Sequence, residues 1–175
     1  LVQTHRVTTT FSAPTPIRLV CQLPDAVKAR YDRSSMQRMI ANAAPWSFAL
    51  KEMYMRDFGE DSLWEVYGST ELGVDTVLRP EDQRRKPGSC GRAAPGVEVA
   101  LFDDEGNRIG SPSVPGELFV RSRSAFRTYH KAQEKFEKGR RGAGAQSTTR
   151  VPTPAACAAA RPDSMVTKLP AATAA

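Results

Sequence analysis

Leu63-Trp64-Glu65-Val66-Tyr67-Gly68-Ser69-Thr70-Glu71 begins as a short apolar run and ends as a dense polar cluster. Leu63, Trp64 and Val66, broken only by Glu65, predict a buried strand. The next five residues then crowd a ring, a glycine, two hydroxyls and a carboxylate into what reads as one turn. Glycine lets the backbone bend sharply or come close to a ligand. Hydroxyls donate to phosphate oxygens. A carboxylate can hold a magnesium ion that phosphates also hold, and an aromatic ring can stack on a base. Together these groups suit a nucleotide phosphate site at a strand end. Alone, they equally suit an ordinary polar strand-to-loop turn.

The neighbouring stretches weigh against the plain turn. Upstream stands Asn42-Ala43-Ala44-Pro45-Trp46. Downstream come Lys86-Pro87-Gly88-Ser89-Cys90-Gly91-Arg92, Pro95-Gly96 and Gly116-Glu117-Leu118. In this order and spacing the chain resembles the adenylate-forming (AMP-dependent synthetase/ligase) superfamily, and within it the AMP-forming acyl-CoA synthetases. The resemblance runs over residues 8–138. Residues 67–71 are its most specific motif.

Patterning along the chain gives an α/β reading. Residues 7–11 are rich in Thr and read as a strand. Ser12 or Thr15 is a candidate cap for a helix over 16–23, and 25–31 reads as a further helical turn. Residues 34–40 read as a second strand. Trp46, Ala49, Leu50 and Met53 fall at i, i+3, i+4 and i+7; Tyr54 and Phe58 widen that stripe, and Gly59 follows as a stop. Aromatics on such a stripe belong in a core. Strand, loop, helix and strand from 34 to 67 form a βαβ-type unit, which favours a parallel sheet with ligands at the C-terminal strand ends.

Past Glu71 the character changes. Residues 79–86 form a charged loop. Val97, Val99 and Leu101 alternate with Glu98, Ala100 and Phe102, residues 103–107 make a turn, and 117–121 read as a partner strand. The expectation is a small antiparallel subdomain, and the resemblance implies a distorted β-barrel there. Residues 129–138 read as the start of a helix. From Gly139 onward there are 11 alanines in 37 residues, four prolines and no aromatic. Such a segment buries too little apolar surface to offset its ordering entropy, so disorder is expected. An out-of-frame or misjoined continuation is one origin for it, and a natural low-complexity tail is the other. The expected division is therefore 1–85, a partial α/β nucleotide-binding lobe; 86–138, a partial β subdomain; and 139–175, the tail.

The net charge of +6 invites a nucleic-acid reading. Residues 139–175 hold five of the basic side chains (Arg140, Arg141, Arg150, Arg161, Lys168) and one acid, Asp163, so the body is nearly balanced. No aromatic interleaves the tail's charges, and nucleic acid is the weakest reading. Cys21, Cys90 and Cys157 have no metal or redox spacing and read as reduced thiols. No long apolar run is present, so no transmembrane segment is expected and the location read is cytoplasmic.

The resemblance implies more than the residues do. It implies an acid–thiol ligase that makes an acyl-adenylate from a carboxylic acid and ATP, then passes the acyl group to a thiol, usually coenzyme A. In that scheme Thr70 binds the α-phosphate and Glu71 holds Mg²⁺, so these two are the catalytic pair. Tyr67 packs on adenine, Gly68 permits close approach, and Ser69 and Thr70 join the cofactor-binding set. Ala43, Ala44 and Pro45 line the adenine pocket. Many relatives have glycine where Ala43 stands. The family's enzymes are about three times longer, and their phosphate loop, ribose aspartate and C-terminal lysine are not recognisable here. A fragment, inactive alone, is expected, its parent using ATP, coenzyme A and a fatty or aryl acid. The alternative is a non-catalytic nucleotide-binding or interaction module on the same fold.

Overall fold

Three strands run parallel because each connection between them is long enough to carry a helix and return to the same end of the sheet. They are β1 (Thr9–Ser12), β2 (Arg38–Ala41) and β3 (Leu63–Ser69). β1 pairs β2 from Thr9↔Arg38 to Ser12↔Ala41, and β2 pairs β3 from Met39↔Leu63 to Ala41↔Glu65. The computed structural model describes residues 1–111, 114–141, 148–150, 157–158 and 166–168. By its contacts the chain forms two units: Leu1–Val66 with Leu78–Pro87, and Tyr67–Val77 with Gly88–Ala175.

In the first unit, α1 (Val2–His5), α2 (Pro14–Cys21), α3 (Asp25–Lys28) and α4 (Phe48–Phe58) accompany the parallel strands. One apolar cluster joins Ile17 and Cys21 of α2, Met39 and Ala41 of β2, Trp46, Leu50, Tyr54 and Met55 around α4, and Leu63 of β3. Full burial of each large side chain there is worth roughly 1.5–3 kcal/mol. Tyr54 sits fully buried, edge-on to Trp46 at 5.9 Å and stacked on Phe58 at 4.8 Å. The α4 aromatics Tyr54 and Phe58 are thus core residues, as the periodicity predicts.

Two helix details differ from expectation. α2 starts at Pro14, with Ala13 as a cap that makes no side-chain bond, so neither Ser12 nor Thr15 caps it. Proline lacks an N–H to be capped at that position. α4 starts after Ser47, whose Oγ accepts from the Leu50 N–H at 3.3 Å. Trp46 is therefore before the helix, and Ala49 is exposed. Lys51 takes a place on the buried face instead, ion-paired with Glu65 of β3; both side chains are at most 5% exposed. Gly59, at φ +108°, ends α4, its N–H donating to Met55 O at 2.9 Å.

The second unit is antiparallel. The chain turns from the end of β3 into β4 (Gly73–Leu78), and β4 pairs β5 (Ser89–Ala93). A second sheet is built on β6 (Val97–Phe102) and β8 (Glu117–Ser122), paired from Val97↔Ser122 to Phe102↔Glu117, with β7 (Arg108–Ile109) on β6. α5 (Gln133–Lys138) follows. Val97, Val99 and Leu101 share a core with Leu72, Cys90, Leu118 and Val120, as their alternation predicts.

The barrel-like expectation is corrected. Among the described residues this sheet stays open, ordered β7-β6-β8-β10-β9, where β9 is Arg140–Arg141 and β10 is Thr148–Arg150. Its outer strands, β7 and β9, are two residues long and do not pair with each other among the described residues. Of the tail expected to be disordered, residues 139–141, 148–150, 157–158 and 166–168 are described. They include β9, β10, β11 (Cys157–Ala158) and β12 (Val166–Lys168); β10 pairs β8 and β12 pairs β5. The remainder of that expectation lies outside the described residues. No helix among the described residues is long and apolar enough to cross a membrane.

Candidate active-site segments

The loop after β2 is held by Asn42. Parallel register puts Asn42 next to Val66, and its Nδ2 donates to Val66 O at 3.0 Å. Its Oδ1 accepts from the Ala43 N–H. That local bond accompanies a left-handed Ala43, φ +67°. For a residue with a Cβ this conformation costs about 1–2 kcal/mol. A glycine here would meet the same need without that cost, because the loop requires a positive φ. Ala43, Ala44 and Pro45 are all exposed.

Residues 67–71 do not form a single turn. Tyr67, Gly68 and Ser69 continue β3, and the turn is Thr70-Glu71-Leu72, closed by Leu72 N–H to Ser69 O at 3.3 Å. A Cβ on Gly68 would lie 1.9 Å from the Gly73 carbonyl oxygen. The glycine is thus demanded by the hairpin's own backbone. The Tyr67 ring is half-buried and packs on the Leu72, Cys90 and Leu118 core. Ser69 Oγ is buried and has no hydrogen-bond partner among the described residues. Thr70 is exposed and Glu71 half-buried.

A later segment fixes this turn. Ser124 Oγ donates to Leu72 O at 3.3 Å, the Phe126 N–H to Glu71 O at 2.7 Å, and the Tyr129 hydroxyl to Glu71 Oε1 at 3.0 Å. Burial, and then the adjacent Glu71 carboxylate, push the Tyr129 phenol above its ordinary value. Neither Tyr129 nor Ser124 is legible as a partner from sequence, since they lie more than 50 positions away with no shared period.

No group of three or more His, Cys, Asp or Glu able to hold a metal occurs among the described residues. One carboxylate still fits magnesium, which keeps several waters and takes one or two carboxylates beside substrate phosphates. Glu71 fits in kind: Tyr129 occupies one oxygen, and the second is a hard donor. Ala43, Ala44 and Pro45 belong to the first unit and residues 67–71 to the second.

Residues 1–130 match the AMP-binding enzyme family. The chain belongs to this family. It is 33% identical over 144 residues to an acetyl-coenzyme A synthetase of Deinococcus radiodurans, covering 79% of this chain and 22% of the relative. It is 25% identical over 134 residues to a 4-coumarate–CoA ligase-like protein of Arabidopsis thaliana, covering 76% and 24%. The luciferase-like enzyme of the mealworm Zophobas morio shares the fold, with a TM-score of 0.81 at 22% identity over 96% of this chain and 39% of that one. The chain spans about a quarter of the length of the curated relatives it matches. AMP-binding enzymes of this kind include acyl-CoA and aryl-CoA ligases, so the family is that of the AMP-forming ligases.

Proposed function

We propose that these residues are part of an AMP-forming acid–thiol ligase. A carboxylate oxygen attacks the α-phosphorus of ATP and pyrophosphate leaves; the coenzyme A thiol then attacks the acyl carbonyl of the acyl-adenylate, the bond to the phosphate oxygen breaks, and AMP leaves. The observation that carries the reading is the turn Thr70-Glu71-Leu72, which offers an exposed hydroxyl beside a carboxylate anchored at one oxygen by Tyr129.

Each residue has a stated task in this reading. Thr70 donates to an α-phosphate oxygen as charge builds there. Glu71 holds the magnesium ion, which when bound offsets phosphate charge. The exposed face of Tyr67 packs on adenine, Gly68 presents bare backbone, and Ser69, whose hydroxyl is buried, takes part through its place in the strand end. Ala43, Ala44 and Pro45 of the first unit are proposed separately as a nucleotide-contacting loop. The matched relatives' names point to small or aromatic acids, acetate, 4-coumarate and 3-hydroxybenzoate among them. The 175 residues alone do not turn over in this proposal.

Carboxylate-dependent exchange of pyrophosphate into ATP tests it. A chain extended to the relatives' length exchanges, and the 175-residue chain stays at the no-protein level. In the extended chain, Glu71→Ala lowers kcat/KM for adenylation about a hundredfold, the scale for losing a group that stabilises transition-state charge. Near-normal exchange in that variant makes the carboxylate structural and favours the non-catalytic module.

A further inference from the structure

Glu71 stands at the tip of a two-stranded turn, where a free carboxylate samples several rotamers. Three bonds from one segment remove that freedom. Ser124 Oγ holds Leu72 O and the Phe126 N–H holds Glu71 O, fixing the turn's backbone. The Tyr129 hydroxyl then donates to Oε1 of Glu71. Tyr129 is itself braced: the Phe126 ring meets it at 4.7 Å and 62°, and Lys135 Nζ lies 4.8 Å from its ring centroid. Phe126 packs in turn on Phe136 of α5, at 5.1 Å and 87°.

We propose that Tyr129 is a positioning residue for Glu71, orienting the carboxylate so that its second oxygen faces a phosphate-bound divalent cation. This rests on the reading of Glu71 as the magnesium-holding group. Tyr129 touches neither the cation nor the nucleotide. It sets the direction of the oxygen that does. Partners of this kind change metal affinity by about 10–100-fold when removed. The aromatic packing and the hydrogen bond are separable, because Tyr129→Phe keeps the ring on Phe126 and deletes only the hydroxyl.

The test titrates the 175-residue chain with ATP, with and without Mn²⁺, following bound Mn²⁺ by electron paramagnetic resonance. Glu71→Gln and Tyr129→Phe are compared with the parent, and a thermal melt of each checks the fold. Glu71→Gln is expected to lose the Mn²⁺-dependent part of ATP binding. Tyr129→Phe is expected to weaken that part about tenfold and to leave metal-free ATP binding and the melt unchanged. A merely structural tyrosine lowers both kinds of binding together, and that pattern overturns the proposal. So does Tyr129→Phe binding Mn²⁺–ATP within twofold of the parent while Glu71→Gln does not, which leaves the Glu71 reading standing. A parent chain that binds ATP no better with Mn²⁺ overturns the Glu71 reading and this proposal with it.

Discussion

Gly68 and Gly73 oppose each other so closely across the β3–β4 turn that a Cβ on Gly68 would lie 1.9 Å from the Gly73 carbonyl oxygen and 3.1 Å from Val74 Cα. The obstructing atoms are backbone, so no rotamer change relieves them. Gly73 cannot absorb the shift cheaply, because its φ of +79° already needs glycine. Gly68→Ala is expected to destabilise the second unit by about 3 kcal/mol or more. Denaturant unfolding followed by Trp and Tyr fluorescence measures this. A loss below about 1 kcal/mol would mean that the hairpin opens without penalty and that the glycine serves a ligand instead.

Ala43 predicts the opposite sign. Its φ of +67° is one that side chains rarely adopt. Ala43→Gly removes that strain but adds freedom to the unfolded chain. The net expectation is a gain of about 1 kcal/mol, read as a higher denaturation midpoint at unchanged slope. If the Ala43 methyl also narrows an adenine pocket, the variant binds AMP more tightly as well.

The parts of this fold that sequence makes legible are those where one period governs burial. Val97, Val99 and Leu101 alternate inward as their spacing predicts, and Gly59 stops α4 where the apolar stripe ends. β4 is less legible: Gly73-Val74-Asp75-Thr76-Val77-Leu78 carries a glycine and an aspartate, both depleted in strands. Without β4 in view, residues 67–71 look like one turn, whereas they are a strand end followed by a turn. The site shows the same split. Glu71 is found by its local motif, whereas Tyr129 meets it only through the path the chain takes after β8. The break at Glu65 in the apolar run has a tertiary cause, since its partner Lys51 comes from α4.

That pair gives a test of its own. Lys51 and Glu65 are 3% and 5% exposed, with Lys51 Nζ donating to Glu65 Oε2. Removing one member of a buried ion pair costs about 3–5 kcal/mol because a charge is left in a poor environment. Lys51→Met and Glu65→Leu are each expected to lose that much. The double variant should lose far less than the two combined, because no buried charge remains. Additive losses in a double-mutant cycle would show that the pair does not couple α4 to β3.

Asp75 makes stability depend on pH in an unusual direction. It lies on β4 with no exposed surface, and neither carboxylate oxygen has a hydrogen-bond partner among the described residues. Burial alone pushes its carboxyl up to about 7. An unfolded aspartate titrates near ~3.9. Below about pH 4 both states hold the proton, and Asp75 adds no pH-dependent cost. As pH rises from about 4 to 7 the unfolded chain releases its proton while the folded chain keeps it, so stability falls. Above about 7 the loss levels off, at a size on the order of 4 kcal/mol. Asp75→Asn has no proton to lose. It should therefore match the parent near pH 4 and exceed it increasingly up to pH 7. Melting both proteins from pH 4 to 8 measures the difference, and parallel curves would mean that Asp75 is ionised and paired in the folded chain.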